Sequence, residues 1–288
     1  MLFISNYMLD LININVKRIL YNYKMKINKK IGLALGSGGG RGMAHVGVIK
    51  SLVEHNIPID YIAGSSIGSI VGGLYAATGD IKEVERIAST FNFKGFMKSF
   101  FKPNLSRKST WDKKFDLFFK KIVGDIKIED LKIPFCAVGA NLLTGELELI
   151  KSGSLITAMK ASTAIPLLLK PVRIDDKYIF DGGVISPVPV EVVKQMGADV
   201  TIGVSLYGNV FPINLTKKKR MSKLKAGMLS RFLALKRLTD MDLSKADVAL
   251  SLKIPNEDYG VFKKFLSSHK LIEFGFESTE EIIKQIKL

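Results

Sequence analysis

The chain has 288 residues, 47% of them hydrophobic, and a formal net charge of +16. A chain this long and this apolar can bury a large core, which excludes disorder as its overall state. The single cysteine, Cys136, excludes an internal disulfide framework, and three scattered histidines exclude a Cys/His zinc cluster. The basic charge suits a nucleic acid, an anionic membrane or an acidic partner, and composition alone does not choose among them.

Residues 1–24 are predicted to be an extension ahead of a single domain over 25–288. The segment is apolar first and basic later, the reverse of a secretory signal, so no signal peptide is expected. Two interpretations stay open. The segment could be an amphipathic surface helix, with apolar residues at helical spacing from Leu9 to Ile19, or it could lie outside the native chain, with Met25 as the first residue.

The following segments alternate between apolar runs bounded by glycine and helical patterns. This order predicts an α/β protein with a parallel sheet. Strands are predicted at 31–36, 57–66, 133–143, 145–150, 170–174, 177–183, 199–206 and 246–254, and helices at 43–56, 67–78, 154–164, 189–197 and from 258 onward. The longest uncharged run, 61–79, contains five glycines and three serines, so we expect a buried helix there and no transmembrane helix. The expected location is the cytoplasm, either free or peripherally bound to the inner face of the membrane.

A glycine-rich loop joins the first predicted strand to the first predicted helix. It contains Gly38, Gly39 and Gly40 and is followed by Arg41. The P-loop pattern is absent, and the dinucleotide pattern has Ser37 where its first glycine belongs. Two interpretations remain: an oxyanion hole built from backbone amides, or a tight connection that needs positive φ.

Gly64, Ser66 and Gly68 match the pattern G-x-S-x-G between a predicted strand and a predicted helix, the context in which this motif presents a nucleophilic serine. The alternative is a turn of small residues that lets the helix approach the sheet. A serine nucleophile needs a base, and the residues leave two candidates. Asp181 precedes Gly182 at the end of a predicted strand, where Asp-Gly is also an ordinary turn, and His269 is the late histidine that the α/β-hydrolase order Ser…Asp…His would use.

Four segments in order resemble the patatin-like phospholipase family: GLALGSGGGRGMAHVGVIKSL, IAGSSIGSIVGGLYA, MKASTAIPLLLKPV and FDGGVISPVPV. The resemblance extends over about residues 29–206. It implies a three-layer α/β/α fold with a mainly parallel central sheet, and hydrolysis of lipid acyl esters by a Ser–Asp dyad without histidine.

Carried onto this sequence, the resemblance implies Ser66 as nucleophile and Asp181 as general base. It implies an oxyanion hole from the amides of Gly38, Gly39 and Gly40. Arg41 matches the basic residue of the family's loop, Gly64, Gly68 and Gly182 support the turns, and Ser37 departs from the glycine of many members. No metal or other cofactor is implied. The alternative functions are a general esterase or thioesterase that uses His269, and a catalytically dead membrane-binding module.

Residues 213–239 contain nine Lys or Arg and no acidic residue. Leu224, Met228, Phe232 and Leu235 lie at helical spacing within them, which predicts contact with an anionic membrane surface. The aromatic and basic stretch 91–121 could form a second contact or a lid. For both segments an ordinary solvated face or core stripe stays open. No nucleic-acid-binding motif is found, so no nucleic-acid partner is expected. The family resemblance implies a phospholipid or other fatty-acyl ester as substrate.

Overall fold

The computed structural model describes residues 29–90, 110–166, 168–209, 211, 222–254 and 267–287. The predicted extension, residues 1–24, lies outside them. The strands are β1 (Ile31–Leu35), β2 (Tyr61–Ser65), β3 (Phe135–Asn141), β4 (Leu147–Ile150), β5 (Val172–Ile174), β6 (Lys177–Asp181), β7 (Val200–Ser205) and β8 (Val248–Ser251). The helices are α1 (Met43–Glu54), α2 (Ile67–Thr78), α3 (Ile81–Thr90), α4 (Thr110–Val123), α5 (Leu155–Ser162), α6 (Val190–Gln195), α7 (Lys223–Leu243) and α8 (Ser268–Lys287).

All these strands belong to one mixed sheet, in the order β5-β6-β3-β2-β1-β7-β8, with β4 also paired to β3. The five strands β3, β2, β1, β7 and β8 run parallel to one another, as predicted. Strands β4, β5 and β6 add antiparallel pairings at one side. Asp175 and Asp176 form the predicted hairpin turn between β5 and β6, and Asp175 has a φ of 51°.

Helices cover both faces of the sheet, so the fold has the expected three layers. On one face, Leu33 and Leu35 of β1 join the larger core with apolar residues of α1, α2, α3, α5 and α8. On the other face, Ala34 packs with Val192 and Val193 of α6. The alternation of neighbouring β1 residues between two cores is what a strand buried on both faces requires.

The register of β3 places two strand ends against each other. Residues 137 and 138 pair with both β4 and β2, whereas residues 139 and 140 pair with both β4 and β6. Because a strand has only two edges, β2 and β6 must lie end to end along the edge opposite β4. Strand β2 runs parallel to β3 and β6 runs antiparallel to it, so their carboxyl ends meet.

One prediction about the surface changes with the structure. Phe115 and Phe119 of α4 are buried in the core, so this part of the stretch 91–121 is a core stripe and not a lid. Residues 91–109 lie outside the described ranges. In the described parts of the chain, no helix is both long enough and apolar enough to cross a bilayer.

Candidate active site

Ser66 lies at the sharp turn between β2 and α2. Its backbone has φ 53° and ψ −123°, a conformation that costs free energy for a residue with a side chain. The flanking glycines allow this turn, because a Cβ on Gly64 would lie 2.5 Å from the carbonyl oxygen of Gly68. A Cβ on Gly68 would lie 2.1 Å from the carbonyl oxygen of Leu35. The predicted elbow is therefore formed, and its glycines are required by backbone contact.

Asp181 is hydrogen-bonded directly to Ser66. The Ser66 hydroxyl donates to Oδ2 of Asp181 over 2.6 Å, and each residue is only 6% exposed. The other carboxylate oxygen, Oδ1, accepts the backbone N–H of Gly183 over 2.7 Å. This second bond orients the carboxylate so that Oδ2 faces the hydroxyl.

The sheet register explains how two residues far apart in sequence meet. Ser65, the last residue of β2, pairs with Val138, and Asp181, the last residue of β6, pairs with Gly139. Gly182 follows at the same junction, where a Cβ would lie 2.4 Å from the carbonyl oxygen of Val138. The backbone can turn away from β3 only because this residue has no side chain.

Burial raises the pKa of Asp181 from 3.8 to about 6. The hydrogen bonds from Ser66 and from Gly183 oppose this rise, and so does the positive charge of Arg231 on α7. A carboxylate with a pKa near 6 is ionised at neutral pH and is a stronger base than an exposed aspartate. Arg231 was not predicted as a site residue, because no local sequence pattern relates it to Asp181, fifty positions earlier.

The glycine-rich loop packs beside the elbow. It forms a short 3₁₀ turn over Gly39–Gly42, with Gly39 at φ 56°, and a Cβ on Gly42 would lie 1.9 Å from Cγ1 of Ile67, the residue after Ser66. In the described part of the chain, no acceptor is hydrogen-bonded to the N–H of residues 38–40. Open space surrounds the position that a Gly39 side chain would take. These amides are therefore donors available to a bound group.

Arg41 points its guanidinium toward an aromatic ring. Its carbon Cζ lies 5.6 Å from the ring centroid of Tyr207, which follows β7. Burial lowers the pKa of Arg41, which nevertheless stays charged at neutral pH. The residue therefore places a fixed positive charge at the glycine-rich loop.

The three histidines have other partners. His45 is buried on α1, and its Nε2 lies 2.7 Å from the carbonyl oxygen of Gly36. Burial lowers its pKa to about 4, so the ring is neutral at pH 7 and Nε2 carries the proton that this contact needs. His55 pairs with Glu280, whereas the side chain of His269 is 84% exposed and lies 4.0 Å from Glu273. None of these three histidines is hydrogen-bonded to the Ser66 hydroxyl, which donates to Asp181 instead.

Two serines that were not predicted as site residues contact the backbone of Ser66. The hydroxyl of Ser162, at the end of α5, accepts the Ser66 N–H over 2.9 Å. The hydroxyl of Ser69 donates to the Ser66 carbonyl oxygen over 2.6 Å. Ser162 lies within the segment MKASTAIPLLLKPV, so the family resemblance marked its neighbourhood without giving it a role.

Within the described ranges, no group of three or more His, Cys, Asp or Glu side chains is placed to hold a metal ion. The arrangement around Ser66 consists of a hydroxyl, a carboxylate, a guanidinium and backbone amides. This set can carry out acyl transfer with protein groups alone.

The sequence profile described as "Patatin-like phospholipase" matches residues 33–194, more than half of the chain. The chain belongs to the patatin-like phospholipase family. The matched range includes Ser66, Asp181, Ser162 and the glycine-rich loop. The α7 helix, with Arg231, lies beyond it.

Named relatives share this domain. An "Uncharacterized NTE family protein" of Mycobacterium tuberculosis is 39% identical over 182 residues, which cover 62% of this chain and 50% of the relative. "Lysophospholipase NTE1" of Yarrowia lipolytica is 34% identical over 181 residues, which cover 61% of this chain and 12% of the relative. The match thus spans half of the mycobacterial relative and a small part of the yeast one. Among solved structures, VipD from Legionella pneumophila is similar over 89% of this chain and 66% of its own, with a TM-score of 0.48 and 15% sequence identity.

Proposed function

We propose that this protein hydrolyses fatty-acyl esters of phospholipids or lysophospholipids, with Ser66 as nucleophile and Asp181 as general base. The hydrogen bond of 2.6 Å between the Ser66 hydroxyl and Asp181 Oδ2 carries the proposal. Membership of the patatin-like phospholipase family supports the reaction class, and the name of the yeast relative, a lysophospholipase, supports lysophospholipids as one substrate.

Acylation begins when Ser66 Oγ attacks the ester carbonyl carbon and its proton moves to Asp181 Oδ2. The carbonyl oxygen becomes an oxyanion, which the amides of Gly38, Gly39 and Gly40 stabilise. One such donor typically contributes about 2.7–4 kcal/mol to the transition state. The tetrahedral intermediate then expels the alcohol, which takes the proton from Asp181, and leaves an acyl group on Ser66.

Deacylation repeats these steps with water. Asp181 removes a proton from the water that attacks the acyl-enzyme, and the same amides hold the second oxyanion. Collapse releases the fatty acid, and the proton returns to Ser66. The pKa of about 6 at Asp181 supports this cycle, because the carboxylate is ionised at neutral pH and still basic enough to accept a proton.

Contact with an anionic membrane through residues 213–239 belongs to the same proposal. In the described part of this segment, Arg231, Leu233 and Arg237 of α7 are exposed. Leu235 and Phe232 are half-buried, and the side chains of Leu224 and Met228 lie outside the described set. Exposed cations beside an exposed leucine support attraction to anionic headgroups. Salt-sensitive cosedimentation with phosphatidylglycerol vesicles, absent with phosphatidylcholine vesicles, is the expected result.

The test of the reaction compares the parent with Ser66→Ala. Phosphatidylglycerol vesicles that also contain phosphatidylcholine and lysophosphatidylcholine are incubated with each protein, and the lipids and free fatty acids are quantified by mass spectrometry. We expect fatty-acid release by the parent and a loss of about 10⁴-fold or more in the variant. A fluorophosphonate probe should label Ser66 of the parent, and Asp181→Asn should slow both labelling and release. Absence of labelling in folded parent protein favours the dead membrane-binding module.

A further inference from the structure

Ser162 connects the nucleophile turn to the sheet. Its hydroxyl oxygen accepts the N–H of Ser66 over 2.9 Å and donates to the carbonyl oxygen of Val138 over 2.6 Å. The direction of both bonds is fixed, because a backbone N–H can only donate and a carbonyl can only accept. The residue is fully buried, so water cannot replace it without rearrangement.

The Val138 carbonyl, to which Ser162 donates, faces the edge of β3 where β2 and β6 meet. Asn141 donates its N–H to Glu146 on the β4 side, whereas Leu142 donates its N–H to Tyr178 on the β6 side. Alternation along the strand therefore turns the backbone groups of Val138 toward the edge shared by β2 and β6. Ser162 binds β3 at the level where Ser66 and Asp181 meet.

Ser66 is held at both of its backbone groups. While Ser162 takes its N–H, the hydroxyl and the backbone N–H of Ser69 both donate to its carbonyl oxygen, over 2.6 and 2.8 Å. A non-glycine residue at φ 53° and ψ −123° relaxes toward other conformations unless its surroundings prevent it. Both peptide groups beside Ser66 are thus restrained by side chains that take no part in proton transfer.

The segment that carries Ser162 also contacts the base. Two residues after Ser162, the carbonyl oxygen of Ala164 accepts the backbone N–H of Asp181 over 3.2 Å. One short stretch, 162–164, therefore binds the backbone of the nucleophile and the backbone of the base. The distance between Ser66 Oγ and Asp181 Oδ2 depends on both of these anchors.

We infer that Ser162 is a positioning residue, whose hydroxyl holds Ser66 at the strained turn in line with Asp181. This role rests on the proposed function of the dyad. The Ser66 N–H is occupied by this bond, so it does not serve the oxyanion, and that task falls to the glycine-rich loop. Loss of the hydroxyl should let the turn relax and move Oγ away from the carboxylate.

The test is Ser162→Ala, measured per mole of folded protein with a soluble short-chain ester. A misplacement of about 1 Å can cost up to about 10²-fold, so we expect kcat to fall by about 10- to 100-fold with KM nearly unchanged. Amide hydrogen exchange at Ser66, followed by NMR, should become faster. Ser162→Thr, which keeps the hydroxyl, should recover most of kcat and of the amide protection.

Ser51→Ala is the matched control. Ser51 is also a fully buried serine in a helix, but its hydroxyl donates to Glu280 and so links α1 to α8 instead of contacting Ser66 or Asp181. We expect it to lower the melting temperature and leave kcat unchanged. If Ser162→Ala does not fold, Ser162→Cys gives the same comparison, because the thiol fills the volume and is a weak hydrogen-bonding group.

A kcat for Ser162→Ala within about twofold of the parent overturns the positioning role, as does slow exchange at Ser66 in that variant. A Ser162→Thr protein as slow as Ser162→Ala, with its Ser66 amide protected, also overturns it. Parent turnover measured first separates two failures. A parent without Ser66-dependent turnover overturns the proposed function, whereas an active parent with an unaffected Ser162→Ala overturns this inference alone.

Discussion

Ser65 and Asp181 pair with consecutive residues of β3, namely Val138 and Gly139. Two strands that approach from opposite directions therefore end at the same point on one edge of the sheet. Ser66 is the residue after β2, and Asp181 is the last residue of β6. A single hydrogen bond joins their side chains across 115 positions of sequence, and the pairing of both strands with β3 brings the two residues together.

The pH dependence of catalysis should report the pKa of Asp181. This group acts as a base only when ionised, so kcat/KM should rise from acid to neutral pH with a midpoint near 6. Initial rates with a neutral soluble ester between pH 4.5 and 8 measure the profile. A profile that is flat below pH 6, with full activity at pH 4.5, contradicts Asp181 as the base.

Arg231 should move that midpoint. Its positive charge lowers the pKa of Asp181, so Arg231→Gln should shift the acid limb toward higher pH. Arg237→Gln is the matched control, because Arg237 is an exposed arginine on the same helix that does not contribute to the pKa of Asp181. Equal shifts in both variants would point to a general surface-charge effect instead.

The buried carboxylate should also lower the stability of the protein at neutral pH. The pKa of Asp181 is higher in the folded state than in the unfolded state, so the folded state binds the proton more tightly. The free energy of unfolding that this group contributes is therefore present below pH 4 and lost as pH rises through 6. A shift from 3.8 to about 6 corresponds to about 3 kcal/mol.

Asp181→Asn removes this titration and keeps groups that can bind Ser66 and Gly183. Chemical denaturation of parent and variant from pH 4 to pH 8 gives the difference in free energy of unfolding. As pH rises, we expect the free energy of unfolding of the variant to increase relative to that of the parent by up to about 3 kcal/mol. The variant should nevertheless have lost its catalytic activity. A difference that stays constant over this range would falsify the raised pKa.

Much of this site could be predicted from local patterns. Gly64, Ser66 and Gly68 define the elbow because a tight turn has a fixed spacing, and the glycine-rich loop is visible for the same reason. Asp181 was one of two possible bases until the family resemblance favoured it. The choice depends on the pairing of β6 with β3, which connects positions far apart in sequence and leaves no local pattern.

Ser162 and Arg231 show what local patterns omit. Both act on the dyad through space, one by a hydrogen bond to a backbone amide and the other by its charge. A serine in a helical segment and an arginine in a basic segment each have many ordinary explanations. The same limit applies to Phe115 and Phe119, whose aromatic pattern fits a core stripe as well as a lid.

Gly68 on α2 should not tolerate replacement by alanine, whereas Gly227 on α7 should tolerate it. A Cβ at Gly68 would meet the backbone of β1 at 2.1 Å, which a side-chain movement cannot relieve. Gly68→Ala should therefore prevent α2 from docking and give unfolded or insoluble protein. Gly227 on α7 has nothing within 4 Å of its Cβ position, so Gly227→Ala should gain about 0.5–1 kcal/mol from helix propensity.

Thermal denaturation of the two alanine variants checks this contrast. A folded and active Gly68→Ala protein would show that the turn after Ser66 tolerates displacement. That result would weaken the dependence of the dyad on elbow geometry, because the helix would have to move away from β1 to accept the methyl group.

His45 should matter for the glycine-rich loop and not for proton transfer. Its Nε2–H donates to the carbonyl of Gly36, two residues before the loop amides begin. His45→Phe fills much of the same volume but leaves that buried carbonyl unpaired, which should cost about 1–3 kcal/mol of stability. We expect kcat to fall by about 10-fold through displacement of the loop, with the midpoint of the pH profile still near 6.

The control for His45 is His269→Ala, which removes an exposed imidazole and should change neither kcat nor stability. Stability should also depend on pH through His45. Its pKa is about 4 when folded and near 6.5 when unfolded, so the unfolded state gains a proton first as pH falls. The parent should therefore lose stability between pH 6.5 and 4 relative to His45→Phe. If the difference in free energy of unfolding between the parent and His45→Phe does not vary with pH, the imidazole is not buried in its neutral form. A loss of activity in His269→Ala would instead support the Ser–His arrangement.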